Sequence, residues 1–461
     1  MSFTNGVIWV VEQQGKRVAF YTLGCKVNQQ ETASLMKLFR KRGFRVVDFK
    51  KDADVYIINT CAVTHTAAQK CRQVIRRAIG RSPAAVVAVL GCYSQVAAEE
   101  VLSIPGVDLV VGTSGRSRLV ELVSEAMEKK RSGEWPAKGI NAVEALDGSL
   151  DFEQLPLPDD PRRTRAFLKI EDGCDQFCTY CTVPYARGGV RSLHPDLVQE
   201  RLSELVCAGY REVVLTGVHT SAYGKDLGGG VNLPRLLREL VELPGNFRIR
   251  LSSVEPAEVT EELLELLATS PRLCRHLHIP LQSGDDEILC RMNRPYTAEE
   301  YRKLFHLARE MIPGIAITTD VLVGFPGEEE RHFQNTFNLI ATLPFRDLHV
   351  FKYSPRPGTP AAAMPEQVAP PVKDRRSSCL RRLADELAAS FARRFVGETM
   401  TVLVERRSRK RQGWWEGLTD NYLRVFFPAS QRKSGVRGEF VPVRILEVGP
   451  RDELQGEAVE N

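Results

Sequence analysis

The sequence predicts an α/β multidomain protein: an N-terminal open parallel α/β domain, a central partial (β/α)6 barrel and a small C-terminal antiparallel β-barrel. Three observations carry this. Short β-branched runs alternate with amphipathic helical stretches over residues 17–128, six further strand candidates alternate with helices from residue 164, and from Gly397 short β runs follow without helical spacing. A length of 461 residues fits about three domains.

In the first domain, 16–130, the predicted strands are RVAFYTL, FRVVDF, DVYIIN, AAVVAVL and VDLVVG, separated by QETASLMKLFRKR, AAQKCRQVIRRAI and QVAAEEVLSI. Apolar runs flanked by helices imply a parallel sheet covered on both faces. Residues 131–163 are rich in Gly, Pro and acidic residues and read as a linker. The barrel, 164–396, takes its strands from AFLKI, EVVLTG, FRIRLSS, HLHIPLQ, IAITTDVLVG and LHVFKYS. Six βα units leave the barrel incomplete, with a wide mouth at the carboxyl ends of its strands. The third domain, 397–450, is built from TMTVLVE, WWEGLT, YLRVFF and GEFVPVRILEV, and the last eleven residues, RDELQGEAVEN, read as a frayed acidic tail.

Composition narrows the class. With 43% hydrophobic and 26% charged residues, the chain can bury sizeable cores, which excludes a disordered or fibrous protein. No apolar run nears the roughly 20 residues of a membrane span, and the start MSFTNGVIWVVEQQGKRV lacks a secretory pattern. A cytoplasmic protein with no membrane partner is expected. The net charge of +5 is mild, but residues 371–412 hold 12 Lys/Arg against 5 Asp/Glu, including Arg406, Arg407, Arg409, Lys410 and Arg411. That run is either a solvated face or a polyanion contact.

Eleven cysteines in a reducing compartment call for a role other than disulfides. Cys174, Cys178 and Cys181 stand in GCDQFCTYC, a C-x3-C-x2-C loop directly after the first barrel strand. Three thiolates can hold three irons of a 4Fe-4S cluster and leave the fourth open. An open iron can chelate S-adenosylmethionine, and an electron from the cluster then splits the sulfonium to a 5′-deoxyadenosyl radical. The rival is a zinc site completed by His194, although zinc prefers paired C-x2-C arms. Cys25, Cys61 and Cys92 form a second set, because each ends a predicted strand of one sheet, at the edge where loops of open parallel sheets converge. Cys71 lies in a helical stretch and reads as packing; Cys207, Cys274, Cys290 and Cys379 lack convergent partners.

These residues resemble the radical S-adenosylmethionine methylthiotransferases. TLGCKVNQQET, INTCAVT and VLGCYSQ are similar to the family's amino-terminal cluster-binding domain, GCDQFCTYCTVPYARG to its radical motif, and the last domain to its RNA-binding TRAM domain. VLTGVHTSAYG, RLSSVEP, HLHIPLQSG, RMNRPYT, TTDVLVGFPGE and HVFKYSPRPGTPAAAM extend the resemblance. Lys26, Val27 and Asn28 make the first motif most similar to the subgroup acting on N6-threonylcarbamoyladenosine beside the tRNA anticodon, rather than on isopentenyladenosine or a ribosomal protein. Gln30 and Leu193 depart from the family pattern, where Tyr and Arg are common.

The resemblance implies a radical-SAM barrel, a TRAM-like third domain, two 4Fe-4S clusters, S-adenosyl-L-methionine, a tRNA partner and a reductant such as flavodoxin or ferredoxin; it names no sulfur donor. It implies that the cluster on Cys174, Cys178 and Cys181 cleaves S-adenosylmethionine, that the cluster on Cys25, Cys61 and Cys92 supplies sulfur, and that hydrogen leaves C2 of the adenine ring. Tyr180, Gly217, Ser253, Gln282 and Gly324 lie at or near carboxyl ends of barrel strands and are the candidate cofactor contacts, though each glycine also suits a tight turn. Trp414, Trp415, Tyr422, Phe426 and Phe427 sit near the basic cluster, where aromatics stack bases, although a small barrel needs most of them as core. Two other readings remain at this point: the same chemistry on isopentenyladenosine or a protein side chain, and a non-enzymatic iron-sulfur RNA-binding protein.

Overall fold

A computed structural model describes residues 15–136, 138–148, 151–158, 163–431 and 437–459. The chain forms two compact units. Of the described residues, one holds those within 15–147, 153–158 and 185–187; the other holds those within 148–152, 163–184 and 188–459.

The first unit is a parallel sheet of β1 (Arg17–Thr22), β2 (Arg45–Val47), β3 (Val55–Thr60), β4 (Val86–Gly91), β5 (Leu109–Val110) and β6 (Ile140–Asn141), in the order β2-β1-β3-β4-β5-β6. Every residue of β3 and β4 is buried, which is why their sequences run apolar without alternation. On one face Ala19, Ile58, Val87 and Val89 pack with Cys71 and Ile75; on the other Phe20, Ile57, Ala88 and Leu90 pack with Leu35, Phe39 and Val123. The helix His65–Arg81 starts at Thr64, whose hydroxyl accepts the Ala67 N–H.

The stretch read as a linker contributes to this unit: β6 extends the sheet, Leu155 is buried in one core, and Glu153 pairs with the buried Arg116 at 2.7 Å. A two-residue strand and isolated side chains of this kind leave no trace in composition.

In the second unit, β7 (Arg165–Lys169) is followed by an antiparallel ribbon of β8 (Glu171–Asp172) and β9 (Arg191–Ser192). Then come β10 (Glu212–Thr216), β11 (Arg248–Leu251), β12 (His276–His278), β13 (Ala316–Val323) and β14 (Asp347–Lys352). Two parallel three-stranded sheets, β11-β10-β7 and β12-β13-β14, are joined by single parallel bridges Ile249–Leu273 and Ser253–His278. The six strands thus run in chain order as an incomplete barrel. Helices such as Pro195–Cys207, Ala298–Met311 and Glu330–Thr342 separate them, and Thr297 with Glu300 forms a capping box at the second of these.

The long helix Pro370–Arg393 leads to a closed barrel of β15 (Thr399–Arg407), β16 (Trp414–Leu418), β17 (Arg424–Pro428), β18 (Phe440–Val448) and β19 (Leu454–Ala458), in the order β15-β16-β17-β19-β18. A closed ring with an odd number of strands cannot be antiparallel throughout, and β17 with β19 is the parallel pair. The expected frayed tail is therefore corrected: residues 454–458 close the barrel, and Leu454 is fully buried in its core.

The turn between β16 and β17 meets the amino-terminal ends of the (β/α) strands. Arg248 donates to the Leu418 carbonyl at 2.9 Å, and Arg250 to the carbonyls of Asp420 at 2.8 Å and Thr419 at 3.0 Å. Tyr422 stacks on His276 with ring centroids 4.8 Å apart. Beneath them the fully buried Glu212 accepts from Arg248 at 2.7 Å and Arg250 at 2.8 Å.

Candidate functional site

Cys25, Cys61 and Cys92 follow β1, β3 and β4, three neighbours in the sheet. The register pairs Thr22 with Asn59 and Thr60 with Gly91, so the strands end level and their cysteine-bearing loops share one edge. Two glycines make that possible. Gly24, at φ +119°, leaves room where a Cβ would lie 3.2 Å from the Cβ of Cys61, and Gly91, at φ +99°, where one would lie 2.4 Å from Asn59 Oδ1. Burial and the neighbouring thiols of Cys92 and Cys25 push the Cys61 thiol up to about 12.

Buried polar groups surround this edge. Asn28 donates to the carbonyls of Leu23 at 2.8 Å and Thr60 at 3.0 Å, fixing both loops. Arg187, of segment 185–187, donates to Asn28 Oδ1 at 2.7 Å, to Glu31 at 2.6 Å and to the sulfur of Cys92 at 3.3 Å. Glu31 is wholly buried and also pairs with Arg116. Burial raises the Cys92 thiol, and the Arg187 cation opposes that rise.

In the second unit the loop of Cys174, Cys178 and Cys181 is tied down at several points. The Cys174 N–H donates to the Gly188 carbonyl at 2.9 Å, the Thr179 N–H to Met292 at 3.1 Å and the Thr179 hydroxyl to Arg291 at 2.9 Å. The N–H groups of Gln176 and Val183 point at the sulfurs of Cys174 and Cys181, both at 3.4 Å. Arg294 Nη1 donates to the Cys178 sulfur at 3.2 Å, and His219 Nδ1 lies 3.6 Å from that of Cys174. The other side of His219 meets Glu258 at 2.7 Å, and Arg294 pairs with Glu255. Burial pushes the thiols of Cys174 and Cys181 up to about 12.

The geometry does not favour the zinc alternative. A tetrahedral zinc with Zn–S near 2.3 Å holds its sulfurs about 3.8 Å apart. Among the described residues, the group of three potential ligands whose donor atoms all lie within 4.8 Å is His278, Asp320 and His349, so neither cysteine trio closes that tightly. His194 is an exposed residue paired with Asp196 at 3.4 Å. Wider trios of thiols suit a polynuclear iron-sulfur group, and burial raises the thiols of Cys61, Cys92, Cys174, Cys178 and Cys181.

The five candidate cofactor positions lie at the carboxyl end of the barrel. Gly217 directly follows β10 and admits the buried Glu171, whose carboxylate would lie 2.4 Å from a Cβ there. Ser253 is exposed and bridges to His278; Gln282, at φ +62°, donates its N–H to the Asp320 carbonyl at 2.8 Å. Gly324, at φ +76°, follows β13 and leaves space for the Lys373 stem. Tyr180 packs edge-on to Phe325, its phenol pushed well above the usual range by burial and by Cys178. On the same strands, His278 and His349 both reach Asp320 Oδ1, at 3.2 and 3.1 Å, and hold that carboxyl well below its ordinary range against the effect of burial.

Sequence reasoning missed Arg187, Arg294, His219 and the His278–Asp320–His349 group. Arg187 and Arg294 lay within quoted motifs, PYARG and RMNRPYT, but only the folded chain brings them to sulfur. In the C-terminal barrel, Trp415, Phe426 and Phe427 are buried, while Trp414 remains partly exposed beside Arg411, 5.6 Å from its ring. Three of the basic cluster are engaged locally: Arg406 pairs with Glu416, Lys410 with Glu453 at 2.5 Å, and Arg411 with Glu453 at 4.0 Å.

Residues 17–112 match the family described as Uncharacterized protein family UPF0004, 168–340 the Radical SAM superfamily and 393–459 the TRAM domain. The chain is 43% identical over 435 residues to the threonylcarbamoyladenosine tRNA methylthiotransferase MtaB of Bacillus subtilis, covering 94% of each protein. The chain belongs to the tRNA methylthiotransferase family. The MtaB protein of Thermotoga maritima is 35% identical over 93% of the chain and 94% of its own length. A tRNA-2-methylthio-N(6)-dimethylallyladenosine synthase of Pelotomaculum thermopropionicum is 35% identical over 93% and 95%. Among solved structures, the radical S-adenosylmethionine methyltransferase TsrM of Kitasatospora setae, with cobalamin and a [4Fe-4S] cluster bound, superposes with a TM-score of 0.56 at 17% identity, covering 75% of this chain and 74% of that one. That likeness is one of fold. Among the described residues no helix is long and apolar enough to cross a membrane.

Proposed function

We propose that this chain is a radical enzyme that replaces hydrogen at C2 of N6-threonylcarbamoyladenosine, beside the tRNA anticodon, with a methylthio group. The observation that carries the reading is the pair of cysteine trios, each at the carboxyl edge of its own set of parallel strands, in a chain matched over 94% of its length by an MtaB protein.

The family's cofactors are S-adenosylmethionine and 4Fe-4S clusters, which when bound supply the radical, the methyl group and the transferred sulfur. Cys174, Cys178 and Cys181 would hold one cluster, and Cys25, Cys61 and Cys92 the other. Three protein ligands per cluster would leave a position for a fourth, non-protein ligand. Arg294 and His219 hold the sulfurs of Cys178 and Cys174 in place and set the charge around them. Asn28 and Arg187 do the same for the loops of Cys25, Cys61 and Cys92.

Tyr180, Gly217, Ser253, Gln282 and Gly324 would border bound S-adenosylmethionine, with Gly217 and Gly324 making room for the side chains of Glu171 and Lys373. The first domain starts at 16 and takes in β6, Glu153 and Leu155 as well as residues up to 130, the barrel runs 164–396, and the third domain runs from 397 through β19 and positions the tRNA. The reductant is a small one-electron donor of the flavodoxin or ferredoxin kind, and the reaction takes place in the cytoplasm.

Anaerobic reconstitution tests this: the protein takes up about eight irons and, with reductant and S-adenosylmethionine, releases 5′-deoxyadenosine and methylthiolates tRNA carrying the threonylcarbamoyl base. Uptake of about four irons, or cleavage with no product on that tRNA, contradicts it.

A further inference from the structure

Seven arginines are buried among the described residues, and six have a carboxylate partner. Arg116 and Arg187 pair with Glu31, Arg248 and Arg250 with Glu212, Arg294 with Glu255, and Arg376 with Glu328. The seventh is Arg356, 7% exposed. Its Nε is fully buried without an acceptor, and among the described residues its guanidinium makes no hydrogen bond or ion pair. Burying a guanidinium nitrogen without an acceptor is costly, because that donor loses water and gains nothing in return.

The backbone around it is fixed. The Thr359 N–H and hydroxyl both donate to the Arg356 carbonyl, at 3.1 and 2.7 Å, and Gly358 takes φ +82° to close the turn. This turn follows the carboxyl end of β14, on the same side of the barrel as the candidate cofactor positions. Two residues farther on, the Ala361 N–H donates to the Thr179 carbonyl at 2.9 Å, inside the loop of Cys174, Cys178 and Cys181. A cation without a counter-ion is therefore anchored, through five residues of chain, to the candidate cluster loop.

We propose that Arg356 is an anion-binding residue of the barrel mouth and that its ligand is a carboxylate. The planar fork of a guanidinium matches a carboxylate with two parallel hydrogen bonds. Two reactants of the proposed function carry one: the methionine part of S-adenosylmethionine and the threonyl group on the substrate base. This inference rests on that function and adds the residue that reads the acid.

The test uses reconstituted wild type, Arg356→Lys and Arg356→Met. Binding of S-adenosylmethionine is measured by equilibrium dialysis, and binding of two tRNAs, with and without the threonylcarbamoyl group, by fluorescence anisotropy. Arg356→Met is expected to weaken roughly 10- to 150-fold either the affinity for S-adenosylmethionine or that for the threonylcarbamoylated tRNA alone, which identifies the source of the carboxylate. Arg356→Lys is expected to fall between. Without ligands, Arg356→Met is expected to melt no lower than wild type, because it removes an unpaired charge.

Unchanged affinities overturn the proposal, as does an equal loss for both tRNAs with S-adenosylmethionine unaffected, the mark of a phosphate contact. A lower melting point of ligand-free Arg356→Met likewise overturns it, as the mark of a structural role. Failure of the functional reading would look different, since wild type itself would then leave the threonylcarbamoylated tRNA unmodified.

Discussion

Arg294 donates from Nη1 to the sulfur of Cys178 at 3.2 Å. Burial raises that thiol, and the Arg294 cation opposes the rise. The same charge favours a cluster that has gained an electron. Arg294→Gln is expected to lower the reduction potential of the cluster on Cys178 by on the order of tens of millivolts and to slow 5′-deoxyadenosine release, with Arg294→Lys closer to wild type. Redox titration followed by electron paramagnetic resonance reads the shift; an unchanged potential refutes the role.

The two cysteine trios are expected to behave independently. Cys61→Ala should lose about half of the iron yet still cleave S-adenosylmethionine, whereas Cys174→Ala should lose cleavage altogether. Iron analysis and 5′-deoxyadenosine assays on the two variants decide it. Cleavage that survives Cys174→Ala would reverse the assignment.

The junction between the two barrels of the second unit should be acid-sensitive. Burial alone would raise the Glu212 carboxyl, but Arg250, Arg248 and Arg165 outweigh it and hold the group well below the ordinary carboxylate range. A carboxyl depressed on folding adds stability that is fully present above its unfolded value, near 4.3, and is lost as pH falls below it. Denaturant unfolding from pH 7 down to pH 3 should show that loss in wild type and a flatter profile in Glu212→Gln. At pH 7 the variant should be less stable by about 3 to 5 kcal/mol, since its arginines keep their charge without a counter-ion.

Truncation after Gly449 should damage the C-terminal barrel rather than trim a tail. It removes β19, which bonds to both β17 and β18, and with it the buried Leu454. A loss of at least about 3 kcal/mol and a tendency to aggregate through the two open edges are expected. Thermal unfolding that matches the full chain would show that the strand is dispensable.

Much of this architecture was legible from residue patterns because strands buried on both faces write themselves as apolar runs. β3 and β4 are of that kind, and the cysteines that end them marked the edge of the candidate site directly. β6 and β19 were not legible. The first pairs only two residues, and the second offers LQGEA, with little apolar content, to a partner selected by ring closure. Contacts between distant segments were equally hidden: Arg187 and Cys92 are 95 residues apart, and Arg294 and Cys178 are 116 apart. A motif can flag such an arginine, but the sulfur it meets, or for Arg356 the partner it lacks, is decided only by folding.

The most direct test of the central claim is mass spectrometry of tRNA nucleosides from cells that lack this gene. The account predicts that the 2-methylthio derivative of N6-threonylcarbamoyladenosine disappears, that its unmodified parent accumulates, and that the wild-type gene but not a Cys174→Ala copy restores it. Persistence of that derivative, with loss of methylthio groups from isopentenyladenosine or from a ribosomal protein, would contradict it.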